Sequence, residues 1–257
     1  MKLLSWNVNG YRAVWRKGLV QEWFKRQAAD VYCLQETKAQ TDQLEPDMIH
    51  PFGLHGEWHW GEKKGYSGVA TFSKTVPDRV ERGFGIKAWD GEGRVLVTRH
   101  GDVTLFNVYF PNGKRDEERL KFKMGFYDAL LEEVIPRYRK RGEKNLVICG
   151  DVNTAHKEID LARPKENRGV SGFLPQECAW IDKLLAAGFV DTFREFETGP
   201  DHYSWWDMQS RARERNVGWR IDYFFVSAEL RPRLKKAWLS PEVTGSDHCP
   251  AGIELAA

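Results

Sequence analysis

The chain lacks any apolar stretch approaching the ~20 residues that cross a bilayer, so no membrane span is expected. Its four cysteines, Cys33, Cys149, Cys178 and Cys249, show no CxxC spacing, and two lie inside apolar runs. That excludes a disulfide framework and fits buried thiols in a reducing compartment. No linker, low-complexity tract or short-period repeat interrupts the sequence. The opening run Met1-Lys2-Leu3-Leu4-Ser5-Trp6-Asn7 has no signal-peptide layout, and the expected location is cytoplasmic rather than secreted. Net charge is scarce too: 39 basic and 37 acidic side chains leave +2, which taken alone counts against a nucleic-acid partner.

What is present is core-forming. The 257 residues are 41% apolar and include 11 Trp, 8 Tyr and 14 Phe. A chain of this size can bury roughly 70–75% of its unfolded surface, and residues 1–257 are read as one domain. The near-zero charge conceals segregation. Residues 30–62 carry seven acids and one base, whereas 211–236 carry eight bases against three acids. The basic segment interleaves with Trp205, Trp206 and Trp219, a mixture that suits a phosphate backbone; solvated loops of opposite sign are the plainer reading.

Short runs rich in Val, Ile, Leu and aromatics predict strands near 2–7, 31–36, 68–73, 94–99, 103–109, 145–150, 221–227 and 249–255. Periodicity and caps predict helices over 17–27, 116–135 and 175–187. The class is α/β with a mixed sheet, and strand–helix–strand units at 2–36 and 103–150 point to two halves. Polar residues close the runs: Asn7, Glu36, Tyr109 and Asp151 follow strands, with Asn153 on the same side as Asp151 if extended, while Asp222 and Asp247-His248 precede strands. Ends and beginnings share one rim only if those strands run oppositely, which counts against an all-parallel nucleotide-binding sheet.

Glu36, Asp151 and Asp247, with amide oxygens from Asn7 and Asn153, form a hard oxygen set suited to Mg²⁺ or Mn²⁺ beside a phosphate. An aspartate able to take a proton and an Asp–His pair complete the parts of a phosphodiesterase. Competing motifs are weak. His55 and His59 are spaced by four but flanked by Gly53 and Gly56, so 55–59 is expected to be a surface loop and not a zinc helix. Gly65-Tyr66-Ser67-Gly68 is one residue short of a nucleophile elbow, and Gly61–Gly65 lacks the spacing of a phosphate-binding loop.

Six segments carry a resemblance: Ser5-Trp6-Asn7-Val8-Asn9-Gly10, Leu34-Gln35-Glu36-Thr37-Lys38, Tyr109-Phe110-Pro111-Asn112, Gly150-Asp151-Val152-Asn153-Thr154-Ala155-His156, Asn216 to Tyr223, and Gly245-Ser246-Asp247-His248-Cys249-Pro250. Together they resemble the exodeoxyribonuclease III family of apurinic/apyrimidinic (AP) endonucleases, collinearly over essentially the whole chain. The Asn, Glu, Asp-x-Asn and Ser-Asp-His elements are common to a wider superfamily of DNases, sphingomyelinases and inositol phosphatases. Ile159 to Asn167 and Asn216 to Tyr223 point to DNA repair.

The resemblance implies a DNase I-like four-layer sandwich of two packed mixed β-sheets flanked by helices. It implies Mg²⁺-dependent cleavage 5′ to abasic sites in duplex DNA, leaving a 3′-hydroxyl and a 5′-deoxyribose phosphate, with 3′-phosphodiesterase and 3′→5′ exonuclease activity. Glu36 would hold the metal, with Asn7, Asp247, Asp151, Asn153 and His248 in the metal set. Asp151 would activate the water or manage the leaving-group proton, Asn153 and Tyr109 would bind the scissile phosphate, and Asp222 would orient His248. Asn112, Asn167 and Asp160 match positions around the phosphate and flipped sugar. Trp205 and Trp219 match the sugar pocket, and Lys114 a base lying against the duplex. Asn9 stands where animal relatives carry Asp. The implied partner is duplex DNA with abasic or 3′-blocked lesions, acted on by a monomer. Cleavage at deoxyuridine, action on inositol or lipid phosphates, and non-catalytic DNA binding remain the alternatives.

Overall fold

The computed structural model describes residues 1–256. In chain order the strands are β1 (Lys2–Asn7), β2 (Val31–Gln35), β3 (His55–His59), β4 (Val69–Ser73), β5 (Arg79–Arg82), β6 (Val95–His100), β7 (Val103–Val108), β8 (Leu146–Asp151), β9 (Phe189–Asp191), β10 (Trp205–Trp206), β11 (Gly218–Trp219), β12 (Asp222–Ser227), β13 (Leu234–Leu239) and β14 (Ala251–Leu255). One six-stranded sheet has the order β13-β14-β1-β2-β4-β3 and the other β5-β6-β7-β8-β12-β9; β10 and β11 form a small hairpin. Each large sheet has one parallel pair, β1–β2 or β7–β8, with antiparallel neighbours on both sides. The two strand–helix–strand units read from the sequence are these parallel crossovers.

The layers follow from period-two burial. Leu3, Val31, Cys33, Val103, Leu105, Val147, Cys149, Phe224 and Val226 enter the seam between the sheets. The intervening Leu4, Trp6, Tyr32 and Leu34 pack against Val20, Trp23 and Phe24 of the helix Leu19–Gln27. On the far side, Phe106, Val108, Leu146 and Ile148 pack against Phe126 and Tyr127 of the helix Glu117–Asp128 and Trp180, Ile181 and Leu184 of the helix Pro175–Ala186. The result is the expected helix–sheet–sheet–helix sandwich.

At one end of the seam the same alternation continues with polar residues: Ser5 and Asn7 on β1, Gln35 on β2, Asn107 on β7, Asp151 on β8 and Asp222 on β12. They are buried, so they need partners. Gln35 Nε2 donates to Ser5 Oγ at 2.9 Å and Asn107 Oδ1 at 2.8 Å, and Asn107 Nδ2 donates to the Ala70 carbonyl at 2.8 Å. Gly150 lets β8 reach this end: its φ is +129°, and a Cβ there would stand 2.0 Å from the Val108 carbonyl oxygen.

Three sequence expectations change. Residues 55–59 form the edge strand β3, not a loop, because Trp58 is buried and Gly56 packs where a Cβ would lie 1.9 Å from the Ile49 carbonyl oxygen. The helix expected to stop at 135 continues to Lys140; a π-helical segment, Ala129–Val134, absorbs Pro136, whose missing N–H would otherwise end the helix. The basic segment is divided: Arg211, Arg215, Arg231, Lys235 and Lys236 are exposed to solvent, whereas Arg220 and Arg213 are built into the fold. Arg220 is fully buried between Asp191 (2.7 Å) and Asp160 (2.8 Å), while Arg213 lies 4.6 Å from the Trp206 ring and donates to the carbonyls of Pro241, Val243 and Ser246.

Two buried ion pairs generate predictions. Lys123 and Glu177 are both 0% exposed and 2.6 Å apart; Lys123 also donates to the Asn153 carbonyl and Thr154 Oγ1, and Glu177 accepts from Ser171 Oγ and the Leu174 amide. Removing one member strands the other's charge, so Glu177→Ala is expected to lose about 3–5 kcal/mol in urea unfolding. Burial raises the Asp160 pKa, but Arg220 and Arg194 outweigh it and hold the carboxyl below its usual range. Because the folded value lies below the unfolded one, this stabilisation is complete above about pH 4 and is lost as pH falls through the folded value. Unfolding followed from about pH 7 to about pH 3 should therefore show a flatter acid limb for Asp160→Asn.

Candidate active site

The polar end of the seam opens into a cavity of about 200 Å³ lined by Glu36, Tyr109, Asn112, Lys114, Asp151, Asn153, Gly172, Trp205, Trp219, Ile221, Asp247 and His248. Antiparallel pairing brings the strand ends and beginnings to it: Asp222 of β12 lies opposite Asp151 of β8. A larger hollow, about 570 Å³ between Phe193, Trp206 and Trp238, holds none of these carboxylates.

Asn7 sits between the two principal acids. Its Nδ2 donates to Glu36 Oε1 and to Asp151 Oδ2, both at 3.0 Å. Glu36 leaves the end of β2 in a left-handed conformation (φ 48°), as does Asn153 beyond β8 (φ 56°). The turn at Glu36 is held by backbone bonds from Gly10 to its carbonyl and from Lys38 to that of Ser67. Burial alone would raise Glu36, but the Lys38 ammonium 3.0 Å away and the Asn7 amide hold it below the usual carboxylate range.

Asp151 is 1% exposed. Its Oδ1 accepts the Asn153 amide at 2.8 Å and its Oδ2 the Asn153 side-chain Nδ2 at 3.1 Å. Burial pushes it up to about 7; His248 opposes this, and Asp222 and Glu36 add to it. His248 Nδ1 donates to Asp222 Oδ2 at 2.8 Å, and the same oxygen accepts Ser204 Oγ at 2.6 Å. This fixes the ring so that Nε2 faces Asp151 Oδ2 at 3.9 Å. Burial would lower His248, but Asp222 and Asp151 outweigh it and push the imidazole up to about 10. Burial raises the Tyr109 hydroxyl well above its ordinary value, reinforced by Glu36 and Asp151 and opposed by Arg94.

Glu36, Asp151 and His248 offer ligand atoms within 4.8 Å of one another, a group able to hold a metal ion. The amides do not present oxygen to it as the residue types suggested. Asn7 Oδ1 accepts the Asn9 amide while its Nδ2 meets Glu36 and Asp151, and Asn153 Oδ1 accepts Asn112 Nδ2 while its Nδ2 meets Asp151 and the Phe110 carbonyl. Asp247 lies at the cavity wall, its oxygens taken by Asn9 Nδ2 and Trp205 Nε1, both at 2.9 Å. Trp205 and Trp219 stand edge to face with centroids 6.4 Å apart, and Lys114 Nζ lies 5.1 and 5.3 Å from the two rings.

Two expected positions lie elsewhere. Asn167 donates to the Arg163 carbonyl in its own short helix and does not line the cavity. Asp160 is 1% exposed and spent on Arg194 and Arg220, so it braces the loop from Lys157 instead of meeting a ligand. Reasoning from residue type missed Lys38 and Ser204. Lys38 had a signal, since it follows Glu36 by two; Ser204, distant from Asp222 in sequence, had none.

Residues 4–248 match the model of the endonuclease/exonuclease/phosphatase family. The chain is 46% identical to the exodeoxyribonuclease of Bacillus subtilis over 99% of its length and 98% of that protein's. It is 36% identical to the DNA-(apurinic or apyrimidinic site) endonuclease of Dictyostelium discoideum over 98% of this chain and 70% of that one. Its structure is similar to the 3′-5′ exonuclease of Neisseria meningitidis, with a TM-score of 0.92, 29% identity and full coverage of both chains. With that site and these relatives, the chain belongs to the endonuclease/exonuclease/phosphatase family, in its exodeoxyribonuclease III-type AP endonuclease branch, and is a hydrolytic DNA-repair nuclease.

Proposed function

We propose that the enzyme cleaves duplex DNA on the 5′ side of abasic sites, leaving a 3′-hydroxyl and a 5′-deoxyribose phosphate, and trims blocked 3′ ends and 3′-terminal nucleotides. The observation that carries this reading is the adjacency of two chemistries in one cavity: the Glu36–Asp151–His248 group and the apolar walls of Trp205 and Trp219. An extruded abasic sugar has no base to accommodate, so a small aromatic recess can select it, and flipping costs least at a damaged site. The AP endonuclease name of one relative supports the first activity, and the exodeoxyribonuclease name of another supports the second.

The residues divide the work by their hydrogen-bond state. His248, held by Asp222, presents a charged Nε2–H donor to a non-bridging phosphate oxygen, joined by the Tyr109 hydroxyl. Asp151, poised near neutrality, takes a proton from the attacking water; the new P–O bond forms as the P–O3′ bond breaks, and the proton passes to the departing 3′ oxygen. Asn7 and Asn153 hold Asp151 in place. Lys114, against the two tryptophans, pairs with the DNA backbone. The donor set fits a hard divalent ion, with Glu36 as its principal ligand and Asp151 beside it; Mg²⁺, or Mn²⁺ in its place, would offset the phosphate's growing charge.

A duplex with one tetrahydrofuran site and Mg²⁺ is expected to give a single cut 5′ to the lesion. Asp151→Asn should lower kcat about 10²–10⁴-fold. Phosphate release from inositol or lipid phosphates with no incision of the duplex would overturn the assignment. Calorimetric titration of Mg²⁺ in the absence of DNA provides a readout independent of turnover: Glu36→Ala should abolish or strongly weaken the binding isotherm, and an unchanged isotherm would remove Glu36 from the metal site.

A further inference from the structure

Tyr109 stands between the cavity and a buried cation. Arg94, 1% exposed, places its guanidinium carbon 4.4 Å from the Tyr109 ring centroid. It also holds the Tyr109 backbone from both sides: Arg94 Nη1 donates to the Tyr109 carbonyl at 3.0 Å, and the Tyr109 amide donates to the Arg94 carbonyl at 2.8 Å. Two further donors of Arg94 are fixed as well, Nε on Glu92 at 2.6 Å and Nη2 on the Tyr66 hydroxyl at 3.0 Å. Arg119 makes a second fork to the same partners, with both Glu92 oxygens at 2.8 and 2.7 Å and the Tyr66 hydroxyl at 3.0 Å. Two guanidinium groups thus share one carboxylate, and a positive excess is left beneath the tyrosine ring.

We propose that Arg94 is a positioning residue for Tyr109, gripping its ring and backbone so that the hydroxyl is presented to the scissile phosphate as a directed, polarised donor. The inference rests on Tyr109 contacting that phosphate in the proposed reaction. A phenol on two free torsions would sweep its hydroxyl across the cavity; a ring lying on a fixed guanidinium cannot. A cation under the ring also draws electron density from the phenol oxygen and strengthens O–H donation, and burial leaves that field little screened. Lysine could supply the charge but not a planar fork that meets a carboxylate, a phenol and a carbonyl together. Arg119 and Glu92 hold Arg94 against the ring, anchoring the arrangement to the helix Glu117–Asp128.

The Tyr109 hydroxyl separates positioning from mere support of the fold. Single-turnover incision of the tetrahydrofuran duplex, DNA affinity and urea midpoints would be measured for Arg94→Met, Arg94→Lys, Tyr109→Phe and the pair Arg94→Met with Tyr109→Phe. Arg94→Met and Tyr109→Phe are each expected to slow incision about 10- to 100-fold, with Arg94→Lys between wild type and Arg94→Met. DNA affinity should move by less than about threefold, and Arg94→Met should cost less than about threefold more once Tyr109→Phe has removed the hydroxyl. Tyr109→Phe keeps the ring, so a purely structural Arg94 would slow both backgrounds by the same factor; that result overturns the proposal and leaves the reading of Tyr109 intact. Incision at the wild-type rate by Tyr109→Phe would refute that reading, and the positioning role with it. If Arg94→Met does not fold, Arg94→Lys in the two backgrounds decides by the same comparison.

Discussion

Glu36 and Asp151 carry like charge, and they approach one another because the Asn7 amide nitrogen donates to each at 3.0 Å. Asn7 and Glu36 belong to one sheet and Asp151 to the other, so this bridge crosses the seam where the apolar filling ends. The arrangement depends on that filling. Leu3, Cys33, Leu105 and Cys149 hold the sheets together with dry side chains, and the low local dielectric magnifies every charge placed at the seam's mouth. The elevation of Asp151 to about 7 is the direct result, because water that would have stabilised its anion is excluded.

Such a rim is costly to build and is braced from behind. Asn9, Glu36, Lys38 and Asn153 all adopt left-handed backbone conformations around it, a concentration typical of functional sites. Lys123 with Glu177 holds the Asn153 carbonyl, Arg220 with Asp160 and Asp191 ties the loop after Lys157 to the strand carrying Asp222, and Arg94 underlies Tyr109. Many basic side chains near the site are therefore spent inside the protein. This changes the meaning of the small net charge: it reflects acids and bases paired in the structure as much as acidic and basic surfaces that cancel.

The eight strands read from the sequence are the central strands of the two sheets. Those strands are buried on both faces and so appear as unbroken apolar runs, β8 being Leu-Val-Ile-Cys-Gly-Asp. The four edge strands escaped: β3, β5, β9 and β13. β5 is Arg-Val-Glu-Arg, and β13 turns Lys235 and Lys236 outward, charges that guard an open edge and erase the run. The site was legible for a related reason. Polar residues closing central strands are anomalous unless they have work to do, and Asn7, Glu36, Tyr109, Asp151, Asp222 and His248 converge as their positions implied.

The sequence by itself determined which residues could reach the rim, because the two-residue repeat assigns each side chain to a face and a polar terminus marks one end of a strand. It also carried the family signature. Only the tertiary structure decided what those residues do there: that Asn7 and Asn153 turn nitrogen and not oxygen toward the acids, that Asp247 is engaged by Asn9 and Trp205, and that Asn167 and Asp160 serve the loop that contains them. Repeats along a strand are local and survive in one dimension. Hydrogen-bond partners are chosen across the seam, where the spacing of the sheets and the exclusion of water set which donor meets which acceptor.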